Sequence, residues 1–253
     1  MIALIIITGL ISGSFINNLI SFYCGFSKFD FKRSKSSCCN KELPAYELIP
    51  VISFILLKGK CRHCGGNISI RYPVVESVSA LLLLSCFELF GSGFYFYFYG
   101  FLTFSLLIIA VVDYYKYIIP NSITAFIIAL SFLKIIFEKD FSVEKFLPPV
   151  IILILFSGIN FLTSKIKRVT AIGSGDIKLL SSLSLIFSIT LSFIGIWISS
   201  LIALPGFLLI KFFNTRFAAE NKVPFGLFIA IGYVIILFFQ PGINYFFNYL
   251  RGL

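Results

Sequence analysis

The amino-acid sequence predicts an all-α, polytopic membrane protein with about eight transmembrane helices. Hydrophobic residues make up 58% and charged residues only 13% of its 253 positions. A soluble domain of this length could not bury that much apolar surface. Apolar runs close to the roughly 20 residues that a helix needs to cross a bilayer recur along the chain. The segments between these runs differ in their content of basic residues, as expected for a multi-spanning protein.

The first apolar run, Met1–Cys24, has no Lys or Arg before it. Because a secretory signal starts with a basic region, we expect this run to be retained as a helix with its N-terminus outside. Three prolines, Pro120, Pro148 and Pro224, fall where later spans begin and a missing N–H is harmless. The later predicted spans are Val74–Phe90, Phe94–Val112, Ile118–Phe137, Leu147–Leu162, Ile177–Ile189 (short for a span), Leu191–Ile210 and Phe225–Leu250.

The one long polar segment, Gly25–Arg71, carries nine of the 21 basic residues and is predicted to lie in the cytosol. Alternation of the spans then places 17 of the 21 inside, and four near the outer face: Lys134, Lys139, Lys145 and Arg251. The net charge of +10 therefore indicates membrane topology rather than nucleic-acid binding. Membrane lipids are therefore expected as partners, and nucleic acid is not.

The chain divides into a first helix (residues 1–24), a cytosolic insert (residues 25–71) and a helical membrane domain (residues 72–253). The insert holds four of the six cysteines, Cys38, Cys39, Cys61 and Cys64. In a cytosolic segment such a cluster favours a metal over disulfides. Cys61 and Cys64 have the C-x2-C spacing of zinc sites, so one structural zinc is predicted. Cys38 is preferred over His63 as the fourth ligand, and a metal-free, reduced cluster is the alternative.

Two acidic residues stand at the ends of apolar runs. Asp113 follows Leu106–Val112, and Asp176 closes Gly173-Ser174-Gly175-Asp176 just before the next run. Both are predicted at the cytosolic ends of spans, at a similar depth, where an ionisable group is a functional candidate. Taken singly, Asp113 fits an interfacial residue beside tyrosines, and Asp176 fits an acid stabilised by a helix N-terminus.

Together the two aspartates fit peptide hydrolysis without a metal. Two carboxyls within hydrogen-bond reach share one proton and titrate as a pair. The ionised carboxyl takes a proton from water while the protonated one polarises the substrate carbonyl. Glycines at 173 and 175 allow the backbone to approach an extended substrate closely. The single histidine, His63, lies in the cysteine cluster, so Ser-His and Cys-His catalysis lack a base.

Further motifs occur in order along nearly the whole chain. They are Gly13-Ser14-Phe15-Ile16-Asn17, Leu48-Ile49-Pro50, Cys61-Arg62-His63-Cys64, Arg71-Tyr72-Pro73 with Glu76, Asp113 with Ile119-Pro120-Asn121 and Thr124, Gly173-Ser174-Gly175-Asp176 with Lys178-Leu179-Leu180, and Pro224-Phe225-Gly226. With these blocks the sequence resembles the bacterial type IV prepilin peptidases, which are polytopic G-x-G-D aspartyl proteases. The resemblance implies that Asp113 and Asp176 are catalytic. It also implies an active-site loop and substrate-binding surroundings formed by Gly173, Gly175, Lys178, Pro224 and Gly226.

The resemblance implies cleavage of the basic leader of prepilins or pseudopilins at the cytosolic side of the inner membrane. Members with the cysteine-bearing insert also N-methylate the new N-terminus with S-adenosylmethionine, whereas shorter relatives only cleave. The alternative from another class is a proton-coupled transporter using the two aspartates, which would require polar residues near mid-membrane.

The sequence departs from the family pattern at three places. Ser36 stands where the first C-x-x-C of the family has a cysteine, and Cys38 is instead adjacent to Cys39. The basic residue usual after the first helix is missing around Ser21-Phe22-Tyr23, and Leu227 replaces a common proline. The first departure bears on the metal site.

Overall fold

The structure, a computed structural model, describes residues 1–26, 39, 41–167, 171–213 and 223–251. Over these residues the regular structure is helical, an isolated antiparallel bridge joins Lys60 and Asn67, and the described residues form no strand. The all-α prediction is therefore confirmed. Contacts divide the chain into two compact units, Met1–Ile108 and Ile109–Leu253, and each is described by itself.

The first unit is built on the close packing of two apolar helices. It contains α1 (Ile2–Tyr23), a 3-10 turn (Ala45–Leu48), α2 (Ile52–Leu56), α3 (Arg71–Phe90) and the first part of α4 (Phe94–Lys116). A Cβ added at Gly9 would lie 2.6 Å from the Cα of Ala80, and one added at Gly13 would lie 2.6 Å from the Cα of Glu76. Gly9 and Gly13 thus form a G-x-x-x-G pair that lets the backbones of α1 and α3 approach.

Polar side chains join the same two helices at the end that carries the insert. The amide of Asn17 donates to the backbone carbonyl of Tyr72 (3.1 Å), and the guanidinium of Arg71 donates to the hydroxyl of Ser21 (2.7 Å). Both Asn17 and Ser21 are buried. The buried carboxylate of Glu76 accepts the backbone N–H of Val51 (2.7 Å), which connects the insert to α3.

The second unit surrounds a short central helix. Its elements are the end of α4, α5 (Asn121–Glu138), α6 (Val143–Lys167), α7 (Ser174–Ser184), α8 (Ile189–Phe213) and α9 (Phe225–Arg251). Helix α7 contacts α5, α6, α8 and α9. Its Leu179, Leu180 and Leu183 are almost fully buried, so α7 forms the core around which the other helices pack.

The outer faces of α6 and α8 are apolar, as expected of surfaces that lipid covers. Ile154 on α6 is 65% exposed, and Trp197 and Leu204 on α8 are 66% and 70% exposed. Large side chains of this kind form contiguous exposed surfaces in proteins whose natural solvent is the bilayer. The membrane assignment and the packing therefore agree.

The predicted count of about eight spans is not matched. Within the described residues, six helices (α1, α3, α4, α5, α6 and α8) are long and apolar enough to cross a membrane. The predicted span Ile177–Ile189 is instead the 11-residue helix α7, which at 1.5 Å per residue is about half the ~30 Å hydrocarbon core. Helix α9 provides a shorter apolar stretch, Phe225–Gln240. A run of apolar residues alone does not distinguish a buried core helix from a membrane-spanning helix.

Candidate active site

Asp113 lies in the last turn of α4, and its carboxyl contacts the start of α9. The residue is buried, with 4% of its surface exposed. Its Oδ2 accepts the backbone N–H of Leu227 at 3.1 Å, in the first turn of α9. The first N–H groups of a helix have no partner within the helix, so they are available to a carboxylate. The N-terminus of α9 thus holds the Asp113 carboxyl in place.

Asp176 occupies the third position of α7 and reaches back towards the residue that precedes the helix. Gly173 is the N-cap of α7 and lies against the Asp176 carboxyl, since a Cβ added there would be 2.8 Å from Oδ2. Burial, and then the nearby carboxyl of Asp113, raises the pKa of Asp176 to about 7. The backbone N–H of Gly173 favours the ionised carboxylate and so acts in the opposite direction, lowering the pKa of Asp176.

The two aspartates line one cavity of about 950 Å³. Its wall also contains Tyr117, at the end of α4, and Asn121 and Lys178, whose side chains are joined by a hydrogen bond of 3.4 Å from Nζ to Oδ1. Apolar side chains from α6, α8 and α9 complete the wall. The cavity therefore combines two carboxyls with an apolar surround, which is the setting in which a coupled pair shares a proton.

Three of the glycines singled out from the sequence lie against the site. A Cβ at Gly173 would be 2.8 Å from Oδ2 of Asp176, and one at Gly226 would be 3.0 Å from Oδ2 of Asp113. A Cβ at Gly175 would be 3.3 Å from the Cβ of Ile119. Gly173 and Gly226 thus leave room for the two carboxyls. Pro224 is buried directly before α9.

Three of the four predicted metal ligands are brought together in the first unit. The sulfur atoms of Cys39, Cys61 and Cys64 all lie within 4.8 Å of one another, and those of Cys39 and Cys61 are 3.9 Å apart. Tetrahedral zinc with Zn–S bonds of ~2.3 Å separates its sulfurs by about 3.8 Å, so this cluster fits zinc. The turn that presents Cys61 and Cys64 is closed by two backbone hydrogen bonds, Cys61 N to Gly66 O and Gly65 N to Cys61 O. Cys38 lies outside the described residues.

Sequence reasoning missed two contributors to the site. In the sequence, Leu227 stands out only because the family commonly has a proline there. In the structure its backbone N–H, which a proline would lack, donates to Asp113. Asn160 on α6 bonds twice to Ile172, just before the active-site loop. The available signal for Asn160 was a lone amide within an otherwise apolar predicted span.

These observations describe an all-helical integral membrane protein with two aspartates on one cavity at helix ends. A sequence model described as the bacterial peptidase A24 N-terminal domain matches residues 7–90, and one described as the type IV leader peptidase family matches residues 100–238. The chain belongs to the type IV leader peptidase family. The resemblance to prepilin peptidases, and the prediction of an enzyme of this kind, are confirmed.

Among curated relatives, a prepilin leader peptidase/N-methyltransferase of Bacillus subtilis (strain 168) is 30% identical over 257 residues, covering 98% of each chain. A protein of the same description from Vibrio cholerae serotype O1 is 28% identical over 216 residues, covering 84% of this chain and 83% of the relative. No solved structure matches.

Proposed function

We propose that the protein is an aspartyl endopeptidase that removes the basic leader of type IV prepilin-like proteins, using Asp113 and Asp176. The observation that carries the proposal is that two carboxyls from separate helix ends line one cavity, where Asp113 raises the pKa of Asp176. The names of the relatives supply the class of substrate. Coupled carboxyls of this kind are suited to hydrolysis by an activated water.

In the proposed mechanism the pair holds one proton near neutral pH. The raised pKa of Asp176 favours it as the carrier, and the N–H of Leu227 pointing at Asp113 suits an ionised carboxylate there. Asp113 accepts a proton from water while the water oxygen bonds to the scissile carbonyl carbon. Asp176 donates its proton to the carbonyl oxygen, giving a neutral tetrahedral diol.

Collapse of the diol reverses the two roles. Asp113, now protonated, donates to the departing amide nitrogen as the C–N bond breaks, and Asp176 recovers its proton from the hydroxyl. Each carboxyl therefore ends as it began, ready for another turnover. The cleft supplies positioning, because Gly173 and Gly226 leave the space in which both carboxyls face the substrate.

The relatives' names also include N-methyltransferase, and we propose that this chain methylates the N-terminus that cleavage exposes. S-adenosylmethionine would supply the methyl group. The match of residues 7–90 to the peptidase N-terminal domain, a range that includes the cysteine-bearing insert, supports this proposal. A cleavage-only peptidase is the alternative within the family.

We further propose that Cys39, Cys61 and Cys64 hold one structural zinc ion, with Cys38 as the fourth ligand. Three thiols at tetrahedral spacing support the proposal. The protein's part is to present deprotonated sulfurs from two separate segments, so that the ion would close the insert into a loop. Zinc content of protein purified without chelator tests this: about one zinc per chain is expected, and much less would refute it.

The active site is proposed to face the cytosol, at the inner membrane of the bacterial cell. The 17-to-4 distribution of basic residues supports this orientation. A single cysteine introduced at Lys116, three residues after Asp113, should resist an impermeant maleimide in intact cells. One at Lys139, just beyond α5, should react. The opposite labelling pattern would reverse the orientation.

The function is tested by purified protein in proteoliposomes with a peptide that joins a basic leader to an apolar helix. Mass spectrometry should show a single cut after the leader and, with S-adenosylmethionine present, a product carrying an added methyl group. A cut without methylation would identify a cleavage-only enzyme. No cut, with proton flux through the liposomes, would support the transporter alternative.

A further inference from the structure

Asn160 makes a paired contact with the backbone of one residue before the active-site loop. Its side-chain Nδ2 donates to the carbonyl of Ile172 at 2.8 Å, and its Oδ1 accepts the N–H of Ile172 at 2.9 Å. The side-chain amide of Asn160 therefore satisfies both the backbone N–H and the backbone carbonyl of Ile172. A flipped amide would place oxygen against oxygen, so the orientation is fixed by its partners.

The position of Asn160 in a candidate membrane span makes this polar contact unusual. Asn160 belongs to α6, a candidate membrane span whose neighbouring side chains Ile159 and Phe161 are exposed and apolar. Non-helical backbone close to a bilayer needs partners for its polar groups, because little water is available to replace them. Asn160 provides both partners for Ile172. Asn160 is the one amide in the apolar stretch Leu147–Leu162, and such a residue is a functional candidate.

Ile172 is directly connected to a catalytic carboxyl. It lines the same cavity as the aspartates and precedes Gly173, the N-cap of α7. Gly173 in turn lies against the Asp176 carboxyl, because a Cβ added there would be 2.8 Å from Oδ2, and its N–H lowers the pKa of that carboxyl. Fixing both polar groups of Ile172 therefore restricts the peptide plane that Ile172 shares with Gly173, and with it the position of the Gly173 N–H beside Asp176.

The rest of α7 is held by other contacts. Ser181 donates its hydroxyl to the carbonyl of Pro149 (2.9 Å), and Lys134 donates to the carbonyl of Ile186 just past the helix (3.1 Å). Leu179 and Leu183 are buried. Loss of the Asn160 contact should consequently release the segment before α7 and leave the helix itself in place.

We propose that Asn160 is a positioning residue for peptide cleavage, which clamps Ile172 and thereby sets the position of Asp176. The inference rests on the proposed aspartyl mechanism. It adds a residue of α6 to the machinery, although Asn160 need not touch the substrate. Its role is to hold in one geometry a loop that glycines at 173 and 175 would otherwise leave free to vary.

Three variants test the proposal in reconstituted full-length protein. Asn160→Leu keeps a similar size and removes both bonds, whereas Asn160→Gln keeps both groups one methylene further out. Thr163→Val is the matched control, because the Thr163 hydroxyl donates only to carbonyls of its own helix, Ile159 and Asn160. Asp176→Asn is included so that failure of the aspartyl mechanism is seen separately, as persistent cleavage by that variant.

We expect Asn160→Leu to lower kcat by about 10–100-fold, with KM changed by less than about threefold, because misplacing a catalytic group affects the chemical step most. Asn160→Gln should lie between Leu and wild type, and Thr163→Val should match wild type. Hydrogen exchange measured by mass spectrometry should be at least about tenfold faster at residues 171–173 in the Leu variant. This second measurement does not depend on activity.

The pH profile provides a readout that loss of stability alone would not change. Burial and Asp113 raise the pKa of Asp176, and the backbone N–H of Gly173 lowers it. Release of the segment with α7 still in place removes the lowering contribution, so the pKa should rise and the alkaline limb of kcat should move to higher pH. The other titratable side chains facing the cavity are Asp113, Tyr117 and Lys178, and the residues lining it from α5, α6, α8 and α9 are not ionisable.

The proposal is overturned if Asp176→Asn is inactive while Asn160→Leu and Asn160→Gln both cleave within about twofold of wild type. It is equally overturned if their activity falls only in proportion to the folded fraction, with an unchanged pH profile and unchanged exchange at residues 171–173. If Asn160→Leu does not fold, the kinetics, the pH profile and the hydrogen exchange are measured on Asn160→Gln. Wild-type values for that variant would refute the proposed role of Asn160.

Discussion

Glycines have different neighbours in the two units of the chain. In the first unit, Gly9 and Gly13 face backbone atoms of α3, with 2.6 Å between a hypothetical Cβ and the Cα of Ala80 or Glu76. In the second unit, Gly173 and Gly226 face the carboxyl oxygens of Asp176 and Asp113. Backbone cannot move aside without separating two helices, whereas a carboxyl can rotate away.

A glycine can therefore serve packing in one unit and the proposed chemistry in the other, depending on its neighbour. Adding a methyl group at the α1–α3 contact should reduce the stability of the fold. Adding one beside a carboxyl of the proposed active site should leave the fold intact and misplace that carboxyl. Two glycine substitutions test this distinction, and two further substitutions compare the candidate sites of the two units.

Among these comparisons of the two units, the largest effect is expected for Gly226→Ala. The new methyl group would lie 3.0 Å from Oδ2 of Asp113 and 3.1 Å from Cδ1 of Ile119, so the carboxyl must shift. Because a misplacement of about 1 Å can cost about 100-fold, this smaller shift should lower the rate of leader cleavage by about 10–100-fold. Gly158→Ala on α6 is the control, because a Cβ there meets nothing within 4 Å. Equal activity of the two variants in the peptide assay would contradict the account.

Gly13→Ala should act on stability instead. Its methyl group would meet the backbone of Glu76, and forcing α1 and α3 apart should destabilise the protein by about 1–3 kcal/mol. The measurement is the unfolding of purified protein in detergent, followed by circular dichroism. Gly93→Ala, where a Cβ has open space, should unfold like wild type. A stable Gly13→Ala protein would show that the close contact is not required.

Leu227→Pro isolates one hydrogen bond at the site. Proline is tolerated in the first turn of a helix, and here it would remove the N–H that donates to Asp113. A hydrogen bond to a charged group contributes about 1.5–3 kcal/mol. Because the family that the sequence resembles commonly has proline at this position, cleavage should persist and fall by no more than about tenfold. Leu227→Ala retains the N–H and should cleave normally. If the alanine variant loses as much activity as the proline variant, the side chain and not the backbone donor is important.

The smallest effect on cleavage is expected for Cys61→Ser, in the first unit. Loss of a thiolate should release the metal and make the insert sensitive to protease, because binding and folding of such a site are coupled. Methylation should decline more than cleavage. Cys86→Ser is the control. Cys86 is a buried residue of α3 that contacts Thr103 and is not one of the clustered cysteines. Wild-type metal content in Cys61→Ser would contradict the site.

Much of this molecule follows from local sequence patterns. The long helices come from apolar runs, and Asp113 and Asp176 are predicted site residues because charge at the end of an apolar run is rare. Cys61 and Cys64 are close in sequence, so their spacing alone indicated a metal site.

Features that depend on distant segments could not be predicted in the same way. The contact of Asn160 with Ile172 requires the relative placement of α6 and the loop before α7. The donor role of Leu227 depends on where α9 begins relative to Asp113. The G-x-x-x-G pair at Gly9 and Gly13 was visible in the sequence, but its partner helix was not. The central position of α7, in contact with four other helices, also depends on distant segments.

The most direct test of the proposed mechanism is leader cleavage by Asp113→Asn and Asp176→Asn in proteoliposomes. Wild type and Glu144→Gln, which makes the same kind of change at an acidic residue outside the cavity, are the controls. Glu144 lies in the first turn of α6 and is absent from the cavity wall. Each aspartate variant should lose at least about 10²–10⁴-fold in rate while folding normally, because neither carboxyl can move both protons alone. Glu144→Gln should cleave like wild type. Near-normal cleavage by either aspartate variant would contradict the shared-proton mechanism.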